Sequence, residues 1–474
     1  MPQSVPKHSS PRLTLAVISL GAMAYSLLQS LVSPALPDIQ HATGASASAV
    51  SWILTSYLLA ASVATPILGR LGDIHGKERV LFWVLIALAA GTFLSAIASS
   101  LPLLIVGRVI QGAAGGIFPL AFAIIRDEFP RDRVSGAIGM MSSLLGIGGG
   151  LGVVLAGVIV DALDYRWLFW FPLPVILLSA FLTRRYIPES PVRAPGKINW
   201  WGAALLSVGL AMLLLGVSQA SSWGWGSPGT LGLIAAALAV LAGWIRNETA
   251  AEEPLVDMRM MRIRGVWTTN VAALLVGVGL YTSLILVPQF VQEPSSTGYG
   301  FGASVTAAGM FLLPTTVTML IVGQFAGRIE RRWGARASLI AGCIVTALGY
   351  GVLAFAHSEP WEIYLASALL GTGLGLSFGA LANLIVVAVR QDQTGVATGM
   401  NTVMRTIGGA VGAQLAGTLL ASGVVASTGL PSEGAYTAGF AMCGGALLAG
   451  VLVSLLIPGR PRPLRAPVGA VAAD

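Results

Sequence analysis

Charge is what this chain has least of. Only 10% of its 474 residues are Asp, Glu, Lys or Arg, while 55% are hydrophobic. A soluble domain carries roughly 25% charged residues, so this sequence cannot cover a water-facing surface and is expected to be integral to a membrane. Cysteine is nearly absent, and Cys343 and Cys443 both fall inside apolar runs. They read as small buried hydrophobes, not as a disulfide or a metal site. The four histidines, His8, His41, His75 and His357, map to the tail or to loops. An intramembrane zinc enzyme needs clustered His, Asp or Glu within its spans, and a serine protease needs a partnered base. Neither pattern is present, so no catalytic or metal centre is expected. No Gly-rich loop ending in Lys-Ser/Thr is found, which excludes ATP as the energy source, and no cofactor is implied. The first apolar run is too long for a signal-peptide core and has no small-residue cleavage site after it, so it should stay as a helix.

What the chain does have is a succession of long apolar runs. A helical span takes about 20 apolar residues, and a barrel would instead alternate over ~10-residue segments. The fold class is therefore all-α and polytopic. Fourteen spans are expected, at roughly 13–36, 48–68, 80–99, 102–125, 134–160, 167–187, 200–219, 229–246, 266–290, 303–324, 337–356, 361–389, 394–424 and 436–457. With the N-terminus placed in the cytoplasm, 24 of the 27 Lys and Arg fall in cytoplasmic loops or termini; only Arg166 is external, and Arg108 and Arg405 lie within spans. That asymmetry is the positive-inside signature and puts both termini in the cytoplasm. The net charge of +7 is thus topological, and no nucleic-acid partner is inferred. The charge pattern suits a bacterial cell membrane. The segment Arg246 to Arg264 is expected along the cytoplasmic interface, and the Pro-rich tail after Leu456 is expected to be disordered.

The runs contain a repeat. Gly139-Met140, Gly148-Gly149, Gly152 and Leu155-Ala156-Gly157 recur 260 residues later as Gly399-Met400, Gly408-Gly409, Gly412 and Leu415-Ala416-Gly417. Gly69-Arg70 with Gly76 returns as Gly327-Arg328 with Gly334. The expected organisation is a tail (1–12), a six-helix bundle (13–190), two inserted helices with a linker (191–264), a second, pseudo-symmetric six-helix bundle (265–457) and a tail (458–474). A membrane protein built as two copies of one helical unit is most often a transporter with its site between the copies. The glycines cluster on corresponding helices of both halves. Close helix packing accounts for most of them; surfaces that also rock against each other are the second reading.

The loop Gly69-Arg70-Leu71-Gly72-Asp73-Ile74-His75-Gly76-Lys77 resembles the motif between helices two and three of the major facilitator superfamily. Gly69 and Gly76 permit close approach and a tight turn. The resemblance implies that Asp73 meets a helix end and basic residues across the domain interface, holding the cytoplasmic side shut. Glu78 stands where the family usually has a base, and Arg79 is the candidate replacement. Gly327, Arg328 and Gly334 would form the matching loop. Arg108, Gln111 and Gly112 resemble the family's intramembrane Arg followed by Gln-Gly; snorkelling to the outer interface is the alternative for Arg108. The central extra spans, Ala35-Leu36-Pro37 and Tyr165-Arg166-Trp167 are similar to the fourteen-helix drug:proton antiporter branch, which implies multidrug or antibiotic efflux.

Three departures from that branch stand out. Leu28, next to Gln29, occupies the place of the usual helix-one Asp. The antiporter motif around Gly148, Gly152 and Gly157 reads Gly152-Val153 where the family has Gly-Pro. None of the 20 acidic residues lies deep in a span; Asp38, Asp127 and Asp161 come closest. Arg405 falls about eleven residues into its span, some 16 Å along a helix rising 1.5 Å per residue. Two readings stay open for it: substrate contact, or a structural Arg bonded to carbonyls of a neighbouring helix. Gln29, Tyr57, Asn270, Gln289, Asn383, Asn401 and Gln414 are candidates to orient a ligand, or else helix-packing hydrogen bonds. Internal cations without internal carboxylates favour neutral or anionic amphiphiles. The expected activity is secondary export of a small organic compound by alternating access, coupled to protons and carried out by a monomer in the lipid bilayer. Export of lipid or envelope precursors, uncoupled facilitation and a transporter-like sensor are the alternatives.

Overall fold

The computed structural model describes residues 10–425 and 428–459, so most of both expected tails lies outside the described residues. The chain folds into long helices: α1 (Pro11–Leu31), α2 (Ala47–His75), α3 (Lys77–Ala96), α4 (Leu101–Glu128), α5 (Arg131–Ala162), α6 (Trp167–Tyr186) and α7 (Trp200–Trp223). These are followed by α8 (Pro228–Ala250), α9 (Arg264–Gln292), α10 (Val305–Trp333), α11 (Ala335–Phe355), α12 (Pro360–Ala388), α13 (Thr394–Ser422) and α14 (Glu433–Leu455). Their starts follow local chemistry. Ser10, Ser46, Asn199, Ser227, Ser304 and Ser432 each accept a backbone N–H of the first turn with the side chain, satisfying donors that have no intrahelical partner. The two loops matched by the repeat both turn on a glycine at positive φ, Gly76 (107°) and Gly334 (86°), where a side chain would be strained. Within α4, the glycine-rich segment Gly112–Gly116 tightens into a 3₁₀ turn.

Among the described residues, thirteen helices are long and apolar enough to cross a membrane, one fewer than expected. The exception is α13, a 29-residue helix rich in Thr and Gly that also carries Asn401, Arg405 and Gln414. It is less apolar because it needs no lipid-facing stripe: it packs against α9, α2, α4 and α7.

Packing follows the repeat. One buried core runs from Val17 to Ile187 across α1 to α6, and another from Ala272 to Ile457 across α9 to α14. Helix α5 packs on α1 as α13 packs on α9, and the contacts between the cores exchange partners, α10 on α5 and α2 on α13. Helices α7 and α8 pack on each other, and α7 lies over α2 and α13. A third core joins Leu206 and Leu210 of α7, Trp244 of α8 and Val256 and Met260 of the linker to Val396 and Val403 of α13. The segment after Arg246 is therefore partly buried against the protein, through Glu248, Leu255, Val256 and Met260. Glu248 is buried and accepts from Asn199 Nδ2 (3.2 Å) and the Val256 N–H (3.0 Å), and buried polar groups need such partners.

Candidate functional site

The two cores meet in a closed seam at one end and a cavity beyond it. The closed end carries the Lys- and Arg-rich loops and is called the basic end. Asp73, at the foot of α2, is fully buried and accepts from the N–H groups of Gly395 (3.1 Å) and Val396 (3.0 Å). These belong to the first turn of α13, in the other core. A carboxylate on a helix N-terminus meets unsatisfied donors and the positive end of the helix dipole. Each such charge-assisted bond contributes about 1.5–3 kcal/mol. Gly69 and Gly395 make this approach possible, since a Cβ on either would overlap the other's backbone carbonyl.

The base that crosses beside Asp73 is Arg126, which the sequence did not single out. Its guanidinium donates to Val389 O (2.9 Å), Arg390 O (3.1 Å) and Thr394 Oγ1 (2.7 Å). Gln391 Nε2 donates to Asp127 Oδ1 at 2.9 Å. Lys77 stays within its own half, bridging Asp127, Ser190 and the Val192 carbonyl. Arg79 is exposed and does not join this network, while Glu78 is buried and pairs with Arg184 at 3.6 Å. Arg79 does not take the place of the family's base because it points away from the seam, on the exposed side of α3.

The matching loop closes the other edge of the seam. Gly327 lies on the backbone of Gly136, with no room between them for a Cβ. Arg331 Nη1 donates to Asp132 O at 3.3 Å, whereas Arg328 folds back over Phe325 of its own helix, 5.4 Å from the ring centroid. Glu330 is buried and accepts from Ser135 Oγ across the seam and from Asn383 Nδ2 (2.6 Å). Asn383 is thus a seam residue and does not line the cavity. A signal for Glu330 existed: it follows Gly327 by three residues, much as Asp73 follows Gly69 by four.

The cavity lies between the cores, between α1, α2 and α5 on one side and α9, α10, Phe378 and Arg405 on the other. Its volume is about 190 Å³. Of the residues singled out from sequence, Gln29, Tyr57 and Arg405 line it. Gln29 Nε2 donates to Tyr281 Oη across the cavity at 3.4 Å. Tyr281, Thr316 and Phe378 also line it and were missed, because a Tyr, Thr or Phe within an apolar run carries no distinguishing mark. Asn270 and Asn401 bond to each other at 2.9 Å. Gln289 lines a separate cleft with Gln292 and Glu293. Gln414 accepts from Thr418 Oγ1 through its backbone carbonyl at 2.8 Å and is not among the described residues that line the cavity.

The two internal arginines differ. Arg108 is fully buried behind the cavity wall and does not snorkel. It donates to Ile53 O (3.3 Å), Leu28 O (3.3 Å) and Gln111 Oε1 (2.7 Å), with Cζ 4.1 Å from the Tyr57 ring centroid. Gln111 in turn donates to Thr92 Oγ1 at 3.1 Å. Gly112 lets α4 approach Ala60 and Ala61 of α2. Arg405 is 8% exposed, sits 4.7 Å from the Phe378 ring centroid and donates to none of the described residues.

The repeated glycines serve two faces of α5. Gly148 and Gly152 receive Ser26 and Ser30 of α1, as Gly408 and Gly412 receive Leu274 and Thr282 of α9. Gly139, Gly146 and Gly150 face Ala326, Met319 and Thr316 of α10 across the seam, with Gly157 near Thr306. The described residues hold no cluster of three His, Cys, Asp or Glu side chains that could bind a metal.

Comparison with known proteins agrees with this architecture. Residues 18–413 match the Major Facilitator Superfamily model. The chain is 27% identical over 423 residues to Multidrug resistance protein 3 of Bacillus subtilis (strain 168), covering 88% of this chain and 81% of that protein. It is 29% identical over 415 residues to the Tetracenomycin C resistance and export protein of Streptomyces glaucescens, covering 87% and 76%. Its fold resembles the crystal structure of the human organic anion transporter MFSD10 (TETRAN), with a TM-score of 0.68, 17% identity and coverage of 94% and 100%. The chain belongs to the major facilitator superfamily and is a transporter, not an enzyme.

Proposed function

We propose that this protein exports small organic compounds, drugs or antibiotics among them, across the cell membrane by alternating access in exchange for protons. The observation that carries the reading is the pairing of a shut basic end with a cavity between the two cores. With the basic end in the cytoplasm, as the charge pattern suggests, this is the cytoplasm-closed state of the cycle. The cavity's 190 Å³ falls below the ~300–1,000 Å³ of sites for drug-sized ligands, so such a substrate would require the halves to part. The latch is made of a few charge-assisted bonds, a sum that substrate binding can reverse. The names of the relatives, one of multidrug resistance and one of antibiotic export, support the substrate class.

On this reading α13 is the fourteenth span, crossing inside the bundle, and the chain fits the fourteen-helix drug:proton antiporter branch. The division is 13–190, 191–264 and 265–457, with both termini in the cytoplasm and the monomer as the working unit. Gly69, Asp73, Gly76, Lys77, Gly327 and Gly334 form the gate with Arg126 and Glu330. Gln29, Tyr57, Tyr281 and Arg405 form the substrate wall, which favours neutral or anionic amphiphiles.

One observation favours uncoupled facilitation as a second reading: Leu28 replaces the helix-one acid, and among the described residues no carboxylate lines the cavity. The test is flux in reconstituted vesicles for a panel of neutral, anionic and cationic drugs, with and without a pH gradient. Flux that follows the gradient and carries protons supports the antiporter. Flux indifferent to the gradient supports the facilitator, and no flux in any class removes the export reading.

A further inference from the structure

We propose that Arg405 anchors a single negatively charged group of the substrate, a carboxylate or ionised phenol on an otherwise apolar, ring-bearing molecule. This rests on the reading of the cavity as the substrate site of an exporter.

Arg405 is more than nine-tenths buried, and its guanidinium donates to none of the described residues. Its N–H donors open on the cavity with no protein acceptor among the described residues, and a largely buried cation without a partner is costly. A charged group kept in that condition by a folded protein has an acceptor that the protein itself does not supply. Arg108 provides the internal control. It is as deeply placed, but its Nε and Nη1 donate to Ile53 O, Leu28 O and Gln111 Oε1, and only Nη2 is left without an acceptor among the described residues. A structural Arg in this fold therefore looks like Arg108, and Arg405 does not. The repeat gives a second control. The position equivalent to Arg405 is Leu145, which lines the same cavity, so the architecture does not demand a charge there.

The surroundings fix the class of ligand. Among the described residues, no Asp or Glu lines the cavity. Arg405 is the one charged residue among the described residues that line it, so an amine would meet repulsion uncompensated by any of their carboxylates. Phe378 covers one side of the guanidinium. The remaining donors face a chamber walled by Leu54, Leu58, Leu280 and Leu284, with Tyr281 and Gln29 beside them. One anionic head and an apolar body match that arrangement, and two separated charges do not. The planar fork of Arg suits a carboxylate in a way that an ammonium does not.

The test compares three probes of one shape: 1-naphthaleneacetate, its neutral amide and cationic 1-naphthylmethylamine. Binding to the purified full-length protein and flux into reconstituted vesicles are measured for wild type, Arg405→Lys and Arg405→Gln. The acid is expected to bind wild type more tightly than the amide or the amine. Arg405→Gln is expected to weaken the acid by about 10–100-fold, the worth of a charge-assisted bond, and to leave the amide nearly unchanged. Arg405→Lys should retain part of the preference. Unchanged amide binding also shows that the variant is folded. Equal binding of acid and amide to wild type, or an equal loss of both in Arg405→Gln, overturns the anchor. Flux of amide and amine without acid also overturns it while leaving the exporter intact. Arg405-dependent binding of the acid with no flux of any probe supports the anchor and removes the exporter reading instead.

Discussion

At the scale of single residues, the latch and the wall are separable. Asp73 makes two charge-assisted bonds to the first turn of α13 and, among the described residues, no ion pair across the seam. Asp73→Asn keeps the shape but lowers the charge on the acceptor. Initial transport rates in vesicles should fall about tenfold or more, given the worth of such bonds, with the protein still folded and inserted; wild-type rates would count against the latch. Arg108→Ala strips donors from two carbonyls and from Gln111 at once. Orphaned buried acceptors destabilise, so this variant should both melt at lower temperature and lose transport. A variant that keeps its melting temperature but loses transport would instead argue for direct contact with the substrate. The sequence made Asp73 and Arg108 visible because a charge beside or within an apolar run is conspicuous. It could not tell Arg108 from Arg405. That distinction depends on which carbonyls the neighbouring helices offer, and a carbonyl has no letter in the sequence.

At the scale of helices, the glycines decide what can touch. Gly69 faces Gly395, and Gly136 faces Gly327, each pair backbone to backbone. Gly69→Val should hold α2 off α13 and keep the basic end from closing. The expected result is normal membrane insertion with transport reduced by about tenfold or more, on the scale of the lost bonds; near-normal transport would mean that the contact is incidental. Most helices were legible because apolar runs of the right length with Ser or Pro at their starts leave few alternatives. The repeat was legible because its offset is nearly constant, 260 residues for one set of glycines and 258 for the other. Other parts were not. Arg126 looked like any base at a helix end until α13 arrived beside it. Glu330 was hidden by three neighbouring arginines. Asn383 and Asn401 both fall on long helices, but one-letter polarity does not say whether a side chain faces a cavity or another helix.

At the scale of the whole molecule, the seam is shut at one end, and the cavity lies beyond it. Both native cysteines are buried and unpaired, so a background with each replaced by Ala is a reasonable starting point. In that background, Ser33→Cys at the cavity should react with a membrane-impermeant thiol reagent added from outside. Thr398→Cys, buried in α13 below the seam, should not. Substrate export should raise the reactivity of the second from the inner face as the molecule cycles. The reverse pattern would place the closed end on the outside and invert the topology inferred from the Lys and Arg distribution.

The composition of α13 carries a consequence for biogenesis. A segment with Asn401, Arg405 and Gln414 among Thr and Gly partitions poorly into hydrocarbon on its own. It must be received by helices already in place, and α2 and α9 are synthesised before it. A ribosome stalled just after residue 425 should therefore yield a nascent chain whose last helix stays extractable, unless the earlier helices have assembled to shelter it. The helix that brings Arg405 to the cavity would be the one least able to reach the bilayer unaided.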